Sequence, residues 1–329
     1  MEEYFEPDER WKAFFGIKSR EEYLQNYLIK GHFHEDVPKD VVEAFITVEY
    51  LLAHSYYLWQ MYDEAFRKAL LTLEMAIKLK AKLLKIDLRF NDKRNKKRPK
   101  TLVRLINEIC NKEHLEELKY QLNRSRKIRN SQVHPESNSY MGAVGGSGRN
   151  IRLFVVVLNH LFQNDDWHLA RYKEKKKLEE FLLVFGKELL ILEIGLVKGP
   201  LIYNFINFEL VENTLFLSCN PVLQNTYEML SKKTFPSSIF LVLKDYNCSE
   251  SEISGFNSKN QKVRLYKTSK KANLEKLNSY KMDLEKLVVE EKENLYAVRS
   301  YKRLVEQDSS WEITEEEYKI LTFSNQSNQ

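Results

Sequence analysis

The side chains best suited to chemistry in this sequence lie in one short segment, residues 119–137. Arg129, Asn130 and His134 fall within six positions, and Pro135 follows the histidine directly. Arginine presents a rigid fork of donors that suits a phosphate, and histidine exchanges a proton near neutral pH. Asparagine can orient either group. These residue types predict phosphodiester chemistry without a metal, in which His134 activates a ribose 2′-hydroxyl and Arg129 stabilises the charge on the phosphorane.

The same segment has the pattern of a helix with a strongly basic end. We expect a helix from about Lys112 to Val133, because the position before a proline avoids helical backbone angles. With about 100° of rotation per residue, Arg129 projects near an apolar stripe of that helix. The stripe consists of Leu115, Leu118, Leu122 and Val133. Between residues 119 and 134 there are five cations and no acid, so an anionic ligand is expected: Lys119, Arg124, Arg126, Lys127 and Arg129.

Ordinary structural roles for these residues stay open. An arginine and a histidine five positions apart occur often by chance, so spacing alone is a weak signal. Arg129 could pair with a carboxylate inside the subunit, for example Glu74. His134 could be a basic residue at a helix C-terminus, where the helix dipole favours a cation.

A second basic cluster occupies residues 91–100, NDKRNKKRPK, with Asp92 as its one acid. A like-charged block that contains proline predicts a solvated loop. Such a loop could also contact an RNA backbone, which positions a strand without reading its sequence. Both interpretations stay open. The candidate RNA-binding residues are Arg126, Lys93, Arg94, Lys96, Lys97 and Arg98.

The elements that must position these residues are mostly helical. The sequence contains 10 glycines and 7 prolines. Residues that interrupt helices are therefore scarce, which favours long helices. Residues 40–86 lack both and carry apolar residues at helical spacing, with a bend expected near Gln60–Asp63. Thr101 is expected to cap a helix that ends near Cys110. Further helices are expected over Asn150–Phe162 and from Asp166 to about Ile194.

The pattern changes after Gly195. Short strands separated by Asn, Pro and Ser are expected at Leu201–Phe208, Asn213–Ser218, Ser238–Leu243 and Val263–Tyr266, followed by a polar helix or helix pair from Ala272 to about Gln307. We therefore predict a mainly α protein. Residues 1–38 form an N-terminal helical extension, residues 39–194 a helical bundle, and residues 195–329 a smaller α+β domain of unknown role.

Composition excludes several classes of protein. The net charge is only +5, so the whole-chain balance implies no partner. Three widely separated cysteines exclude a disulfide framework and a cysteine-based zinc site, and they fit a reducing cytosol. The N-terminus is acidic where a secretory signal would be basic, and no apolar run approaches a membrane span of about 20 residues. We expect a cytoplasmic protein without membrane contact, metal or cofactor.

Arg129-Asn130-x-x-x-His134 followed by proline resembles the R-N-x-x-x-H form of the R-x4-6-H motif. That motif marks the HEPN superfamily (higher eukaryotes and prokaryotes nucleotide-binding). The motif's place at the end of a late helix, with a Leu/Glu-rich helix upstream at residues 69–84, is similar to the family's helical bundle. The resemblance covers roughly residues 40–192 and does not extend to the C-terminal part.

The resemblance implies a metal-independent endoribonuclease, acting as a toxin or antiviral effector. Competent HEPN domains pair so that two motif sets form one composite cleft, which implies a homodimer through the bundle. On this chain His134 would transfer the proton, Arg129 would stabilise the phosphate and Asn130 would orient them. A neutralising or sensor protein is a further expected partner. Some toxin members carry a tyrosine two positions after the histidine, where an antitoxin modifies it; this chain has Glu136, which argues against an adenylylating partner.

Two other functions remain as alternatives. A HEPN-like bundle could bind nucleotide or RNA without cutting it, with Arg129 holding an anion. The chain could also be a helical scaffold that recruits a partner, in which case replacing Arg129 would damage folding rather than RNA chemistry.

Overall fold

The computed structural model describes residues 2–133, 142–232, 237–290 and 292–326. The chain divides into two compact units, Met1–Leu169 with Thr314–Gln329, and Ala170–Ile313. Residues 1–38, expected to form an extension, belong to the first unit. The expected domain boundary after Ile194 falls within the second unit.

The first unit is helical, with one short hairpin among its described residues. Its helices are α1 (Glu9–Phe15), α2 (Arg20–Tyr27), α3 (Lys39–His54), α4 (Gln60–Leu83), α5 (Leu102–Ile109), α6 (Glu116–Val133), α7 (Ser147–Phe162) and the first residues of α8 (Asp165–Phe185). The hairpin joins β1 (Arg89–Asn91) to β2 (Lys97–Pro99).

The bend expected near Gln60–Asp63 is a complete break between α3 and α4. The N-terminal segment stabilises this break through hydrogen bonds to backbone groups that the two helix ends leave exposed. The Trp11 indole donates to the Ser55 carbonyl at 2.7 Å, and the Asp8 carboxylate accepts the Trp59 backbone N–H at 3.0 Å. The Ser55 carbonyl and the Trp59 N–H are therefore both hydrogen-bonded without a partner inside a helix. The chain can change direction between α3 and α4 while these two groups stay hydrogen-bonded.

The core of the first unit forms between α4 and α7. One face of α4 is buried at helical spacing, while α7 is buried on almost every side. Phe66 of α4 stacks on Phe154 of α7, with ring centroids 5.9 Å apart. A buried aromatic or aliphatic side chain of this size contributes about 1.5–3 kcal/mol relative to exposure. Hydrophobic burial along these two helices is therefore the main source of stability in this unit.

The helices on either side of the core confirm their expected signals. The Thr101 hydroxyl accepts the Arg104 backbone N–H and begins α5, which ends at Ile109. A short 3-10 turn at Glu113–Leu115 precedes α6, and Val133, the last residue of α6, is also the last residue described before residues 134–141. Leu115, Leu118 and Leu122, three residues of the expected apolar stripe, are buried inside the unit.

The second unit is built around a closed barrel of six antiparallel strands. They are β3 (Leu190–Ile194), β4 (Val197–Val211), β5 (Thr214–Pro221), β6 (Ile239–Cys248), β7 (Glu252–Phe256) and β8 (Lys262–Lys267). Each strand pairs with the next along the chain, and β8 pairs back to β3, with Leu190 opposite Lys267 and Ile194 opposite Val263. The remaining helices are α9 (Thr226–Ser231), α10 (Lys271–Glu290) and α11 (Lys292–Gln326), and the residues of α11 from Thr314 onward belong to the first unit.

Alternate side chains of the strands fill the barrel, and α8 packs against this interior. The interior cluster includes Leu190, Leu217 and Leu265 with Leu182 and Phe185 of α8. Register shifts in β4 and β6 bend those strands, as closing a small barrel requires. The barrel is therefore a packed core and not an open channel.

A buried ion-pair cluster also joins α8 to the barrel. Glu209 of β4 is almost fully buried, and its two carboxylate oxygens contact Arg171 at 3.0 Å and Lys175 at 2.8 Å. Removing the carboxylate would leave two cations in a site with little solvent, so this cluster fixes the position of α8 on β4.

The barrel shows that the expected fold class was wrong. The C-terminal half is a closed antiparallel barrel with helices, not a smaller α+β domain after a purely helical bundle. The helix expected from Asp166 to Ile194 ends at Phe185, and its last residues form β3. The run Leu189–Ile194 is apolar at almost every position, which suits a buried helix and a buried strand equally.

No helix in the described part of the chain carries an apolar stretch that could cross a lipid bilayer.

Candidate functional site

Arg129 lies one turn before the end of α6 and points at α4. Its Nη2 donates to Glu74 Oε2 at 2.9 Å, which is the intramolecular pairing that the sequence left open. The side chains of Arg129 and Glu74 are 23% and 20% exposed, so the pair is mostly covered but still reached by water. The pair tethers α6 to α4 through charge as well as through packing.

Glu74 has a second cationic partner on its own helix. Its Oε1 accepts from Lys78 Nζ at 2.6 Å, one turn further along α4. Partial burial raises the pKa of the Glu74 carboxyl, but the hydrogen bond and charge of Lys78 and the charge of Arg129 outweigh it, and the pKa is lowered. Glu74 is therefore ionised at neutral pH. Arg129 and Lys78 therefore share the Glu74 carboxylate.

The other cations of α6 are placed differently. Arg126 Nε donates to the Asn123 side-chain oxygen at 3.3 Å, which orients its guanidinium along the helix surface. Burial lowers the pKa of Arg124, whose guanidinium is partly covered by protein. Lys119 pairs with Glu116 at 2.9 Å. Arg126 and Lys119 of this helix thus each have a polar partner on α6 itself, whereas Arg129 pairs with α4.

The rest of the expected catalytic set cannot be placed beside Arg129. His134 lies outside the described residues, which resume at Gly142. Asn130 belongs to α6, but its side chain is also outside the description. The assignment of both residues to catalysis stays a prediction from sequence.

Residues 91–100, expected to be a solvated loop, form most of the β1–β2 hairpin. Phe90 pairs with Arg98 and Asn91 with Lys97. The Asp92 carboxylate organises the turn: Oδ1 accepts the backbone N–H groups of Arg94 and Lys96, both at 2.9 Å. Residues 92–96 are the solvent-exposed turn of this hairpin, while Asn91 and Lys97–Pro99 are strand residues, which the expectation of a loop did not include.

Five of the candidate RNA-binding cations lie on this hairpin, and all five are exposed: Lys93, Arg94, Lys96, Lys97 and Arg98. Arg98 Nε also donates to Asp92 Oδ2 at 2.6 Å. The bonds from the Lys96 and Arg94 backbones and from Arg98 lower the pKa of Asp92. The structure thus brings these five residues together on one element, while Arg126 lies on α6.

One anchor of the segment after His134 was not anticipated from the sequence. The Gly142 backbone N–H donates to Asp63 Oδ2 at 2.8 Å, and the Trp59 indole lies so close that an added Cβ at Gly142 would be 2.2 Å from it. Trp59 and Tyr62 are each 2% exposed and belong to the core. The cluster of glycines from residue 142 to 148 was the available signal, because small residues permit such close approach.

The described residues contain no group of three His, Cys, Asp or Glu side chains arranged to hold a metal ion. No family model matches the chain, and no curated protein or solved structure is detectably similar to it.

Proposed function

We propose that this chain is a cytoplasmic, metal-independent endoribonuclease of HEPN type that acts as a toxin or antiviral effector. The observation that carries the proposal is Arg129, held near the end of α6 by its 2.9 Å bond to Glu74. Electrostatic stabilisation of a phosphorane needs a guanidinium that is already oriented before the charge develops. His134 follows the last residue of the same helix in sequence.

In the proposed reaction, His134 removes the proton from a ribose 2′-hydroxyl. The 2′-oxygen then bonds to the adjacent phosphorus, the bond from phosphorus to the 5′-oxygen breaks, and the 5′-oxygen takes up a proton. The products are a 2′,3′-cyclic phosphate and a 5′-hydroxyl. Single-stranded or loop RNA is favoured, because the 2′-oxygen must move in line with the scissile bond and A-form stacking resists that movement.

The Glu74 pairing is compatible with this role for Arg129. A guanidinium carries five N–H donors in a planar fork, so it can hold a carboxylate along one edge and a phosphate along another. Lys78 supplies a second positive charge to the same carboxylate. The bond to Glu74 keeps the guanidinium of Arg129 in one orientation.

The proposal includes two partners besides RNA. A second copy of the chain would complete the cleft through the helical bundle, with each protomer supplying Arg129, Asn130 and His134. A separate protein would neutralise the activity or relay a trigger to it.

The test is cleavage of RNA by purified protein in EDTA. We expect cutting by the wild-type chain, loss in His134→Ala, and a loss of at least 100-fold in Arg129→Ala. His114→Ala is the matched control, since His114 is a histidine of the same unit that pairs with Asp165 at 2.8 Å. Products should carry a 2′,3′-cyclic phosphate. Cutting that requires a divalent metal, or full activity in His134→Ala, contradicts the proposal.

One observation favours the non-catalytic alternative. Because Arg129 is already paired with Glu74, it has a structural role that needs no reaction. A binding module of this kind would retain RNA equally well in the wild type and in His134→Ala, and neither protein would yield products. Measuring affinity and products on the same samples separates the two functions.

A further inference from the structure

The β1–β2 hairpin carries more positive charge than its surroundings neutralise. Among the described residues no carboxylate lies within 4.0 Å of the charged groups of five exposed side chains: Arg89, Lys93, Arg94, Lys96 and Lys97. The nearby acids have other partners, since Asp92 pairs with Arg98 and Glu108 with Lys100 and Arg104. Clustered like charges repel one another, and an approaching polyanion relieves that repulsion.

The backbone of the hairpin is fixed in a way that a solvated charged loop does not need. Asp92 accepts two backbone N–H groups through Oδ1 and the Arg98 side chain through Oδ2. Asn95 adopts a left-handed conformation with φ of 57°, and its N–H donates to the Asp92 carbonyl at 2.8 Å. The turn therefore holds the backbone positions of its cations in one arrangement, which lowers the entropy lost when a ligand binds.

Only one face of the hairpin is covered. Phe90 lies under the Arg104 guanidinium, whose carbon is 4.4 Å from the ring centroid, and this contact anchors the hairpin to α5. In the strand register, Arg89 and Asn91 share the opposite face with Lys97 and Pro99, and all four are exposed. One face thus attaches the hairpin to the protein while the other presents cations to solvent.

We infer that the β1–β2 hairpin is a preformed clamp for the phosphodiester backbone of RNA, at a place separate from the Arg129–Glu74 pair. Backbone contacts of this kind give affinity and position without reading sequence. An anionic membrane is a poorer fit, because residues 91–98 contain no apolar side chain that could enter the headgroup region. The inference rests on the proposed function only in naming RNA as the polyanion.

Binding to a 5′-fluorescein-labelled 20-nucleotide poly(U) tests the clamp in full-length His134→Ala protein in EDTA, where cleavage is not expected. The tip variant replaces Lys93, Arg94, Lys96 and Lys97 with Gln. The matched control replaces four exposed lysines of the second unit, Lys173, Lys177, Lys259 and Lys262, with Gln. Both lose the same charge, so a difference between them reports position and not net charge.

The logarithm of the binding constant falls linearly with the logarithm of the salt concentration. For single-stranded nucleic acid, this slope becomes smaller by about 0.7 for each phosphate contact removed. If the four replaced side chains each contact one phosphate, the slope for the tip variant is smaller by about 2.8. Raising the salt from 50 to 200 mM then weakens RNA binding by the tip variant about 50-fold less than it weakens binding by the parent. We expect this loss of salt sensitivity in the tip variant. In the control variant, the effect of the same salt change on RNA binding should stay within threefold of that in the parent. Equal effects in both variants overturn the inference.

Asp92→Ala tests the fixed turn, because two explanations predict opposite signs. If net charge alone attracts RNA, removing an acid strengthens binding. If the turn geometry matters, Asp92→Ala weakens binding about 3- to 10-fold despite the gain in positive charge, which is the result we expect. Slower amide exchange at Arg94 and Lys96 in the parent than in the variant shows that the turn has loosened. Tighter RNA binding by the variant overturns the preformed clamp.

Two further outcomes are decisive. Vesicles of phosphatidylserine and phosphatidylcholine that compete with the RNA at equal anionic charge overturn the choice of ligand. Tip-dependent RNA binding by a wild-type chain that never yields cleavage products supports the clamp and refutes the nuclease. The failures of the two proposals are thereby distinguished.

Discussion

The Arg129–Glu74 ion pair is expected to contribute about 1–2 kcal/mol to the stability of the first unit. Exposed ion pairs contribute about 0–1 kcal/mol, whereas removing one partner of a buried pair is destabilising by about 3–5 kcal/mol. The two side chains are 23% and 20% exposed and fall between these limits. Glu74→Gln should destabilise by about 2 kcal/mol, because Arg129 and Lys78 then share no carboxylate. Arg129→Met should be milder, about 1 kcal/mol, because Lys78 still balances Glu74.

Urea unfolding of the two single variants and the double variant gives the coupling energy. Tryptophan fluorescence suits the first unit, which contains Trp11, Trp59 and Trp167. We expect a coupling of about 1 kcal/mol, above the roughly 0.3–0.5 kcal/mol scatter of independent sites. Lys78→Met is the control: its side chain is 46% exposed, so its own effect should stay below about 1 kcal/mol.

A coupling within the scatter of independent sites refutes the reasoning, since the pair would then not hold Arg129 in place. The pH dependence gives a second check. The pKa of Glu74 is lower in the folded chain than in the unfolded chain. The ionised carboxylate therefore contributes fully to folding stability at a pH above its ordinary pKa, and this contribution is lost as the pH falls through the pKa of the folded state. The difference in stability between wild type and Glu74→Gln should therefore shrink below about pH 4.5. A difference that grows in acid contradicts the assignment.

Three other perturbations follow from the packing. In thermal melts, Gly142→Ala should destabilise the first unit by about 3 kcal/mol and Gly146→Ala by about 1 kcal/mol. Both glycines have positive φ, but only Gly142 lies against Trp59. Equal losses of stability would contradict this contact. Tyr23→Phe should lose about 1–2 kcal/mol in urea, since its buried hydroxyl bonds a carbonyl at 2.7 Å; no loss would mean that water replaces the bond. Glu209→Gln should destabilise the second unit by about 3 kcal/mol, measured by circular dichroism, and an unchanged melt would show that its two cations reach solvent.

The helices of the first unit were predictable because their signals are local. Thr101 identifies the start of α5 through a hydrogen bond from the backbone N–H of Arg104, a residue only three positions away. The exact break between α3 and α4 was not predictable, since Asp8 and Trp11 stabilise it from about 50 residues earlier in the chain. Contacts of such sequence separation leave no periodic pattern.

The barrel was missed for a related reason. Four strand regions were expected, but β3 continued an apolar helical pattern and β7 contains only five residues. Closure depends on the pairing of β3 with β8, and no local feature of either strand specifies that pairing. Without β3 and β7, the remaining strands predict an open sheet with helices, which is the α+β class.

The candidate site was anticipated in part. Glu74 was named as an example of an intramolecular partner for Arg129, and the two side chains pair at 2.9 Å. The role of Asp92 was not anticipated, since one acid among six cations changes the charge count little. Its effect is geometric, through two backbone N–H groups that a charge pattern does not reveal.

The return pairing of β8 onto β3 also constrains how the protein is made. Leu190 meets Lys267 about 77 residues later in the chain, so β3 has only one neighbour until the last strand has left the ribosome. At roughly 5–20 residues per second, that interval lasts about 4–15 s. During it, the backbone of β3 is an open template for nascent chains on the same message. We therefore expect chaperones that hold emerging polypeptides to engage this stretch.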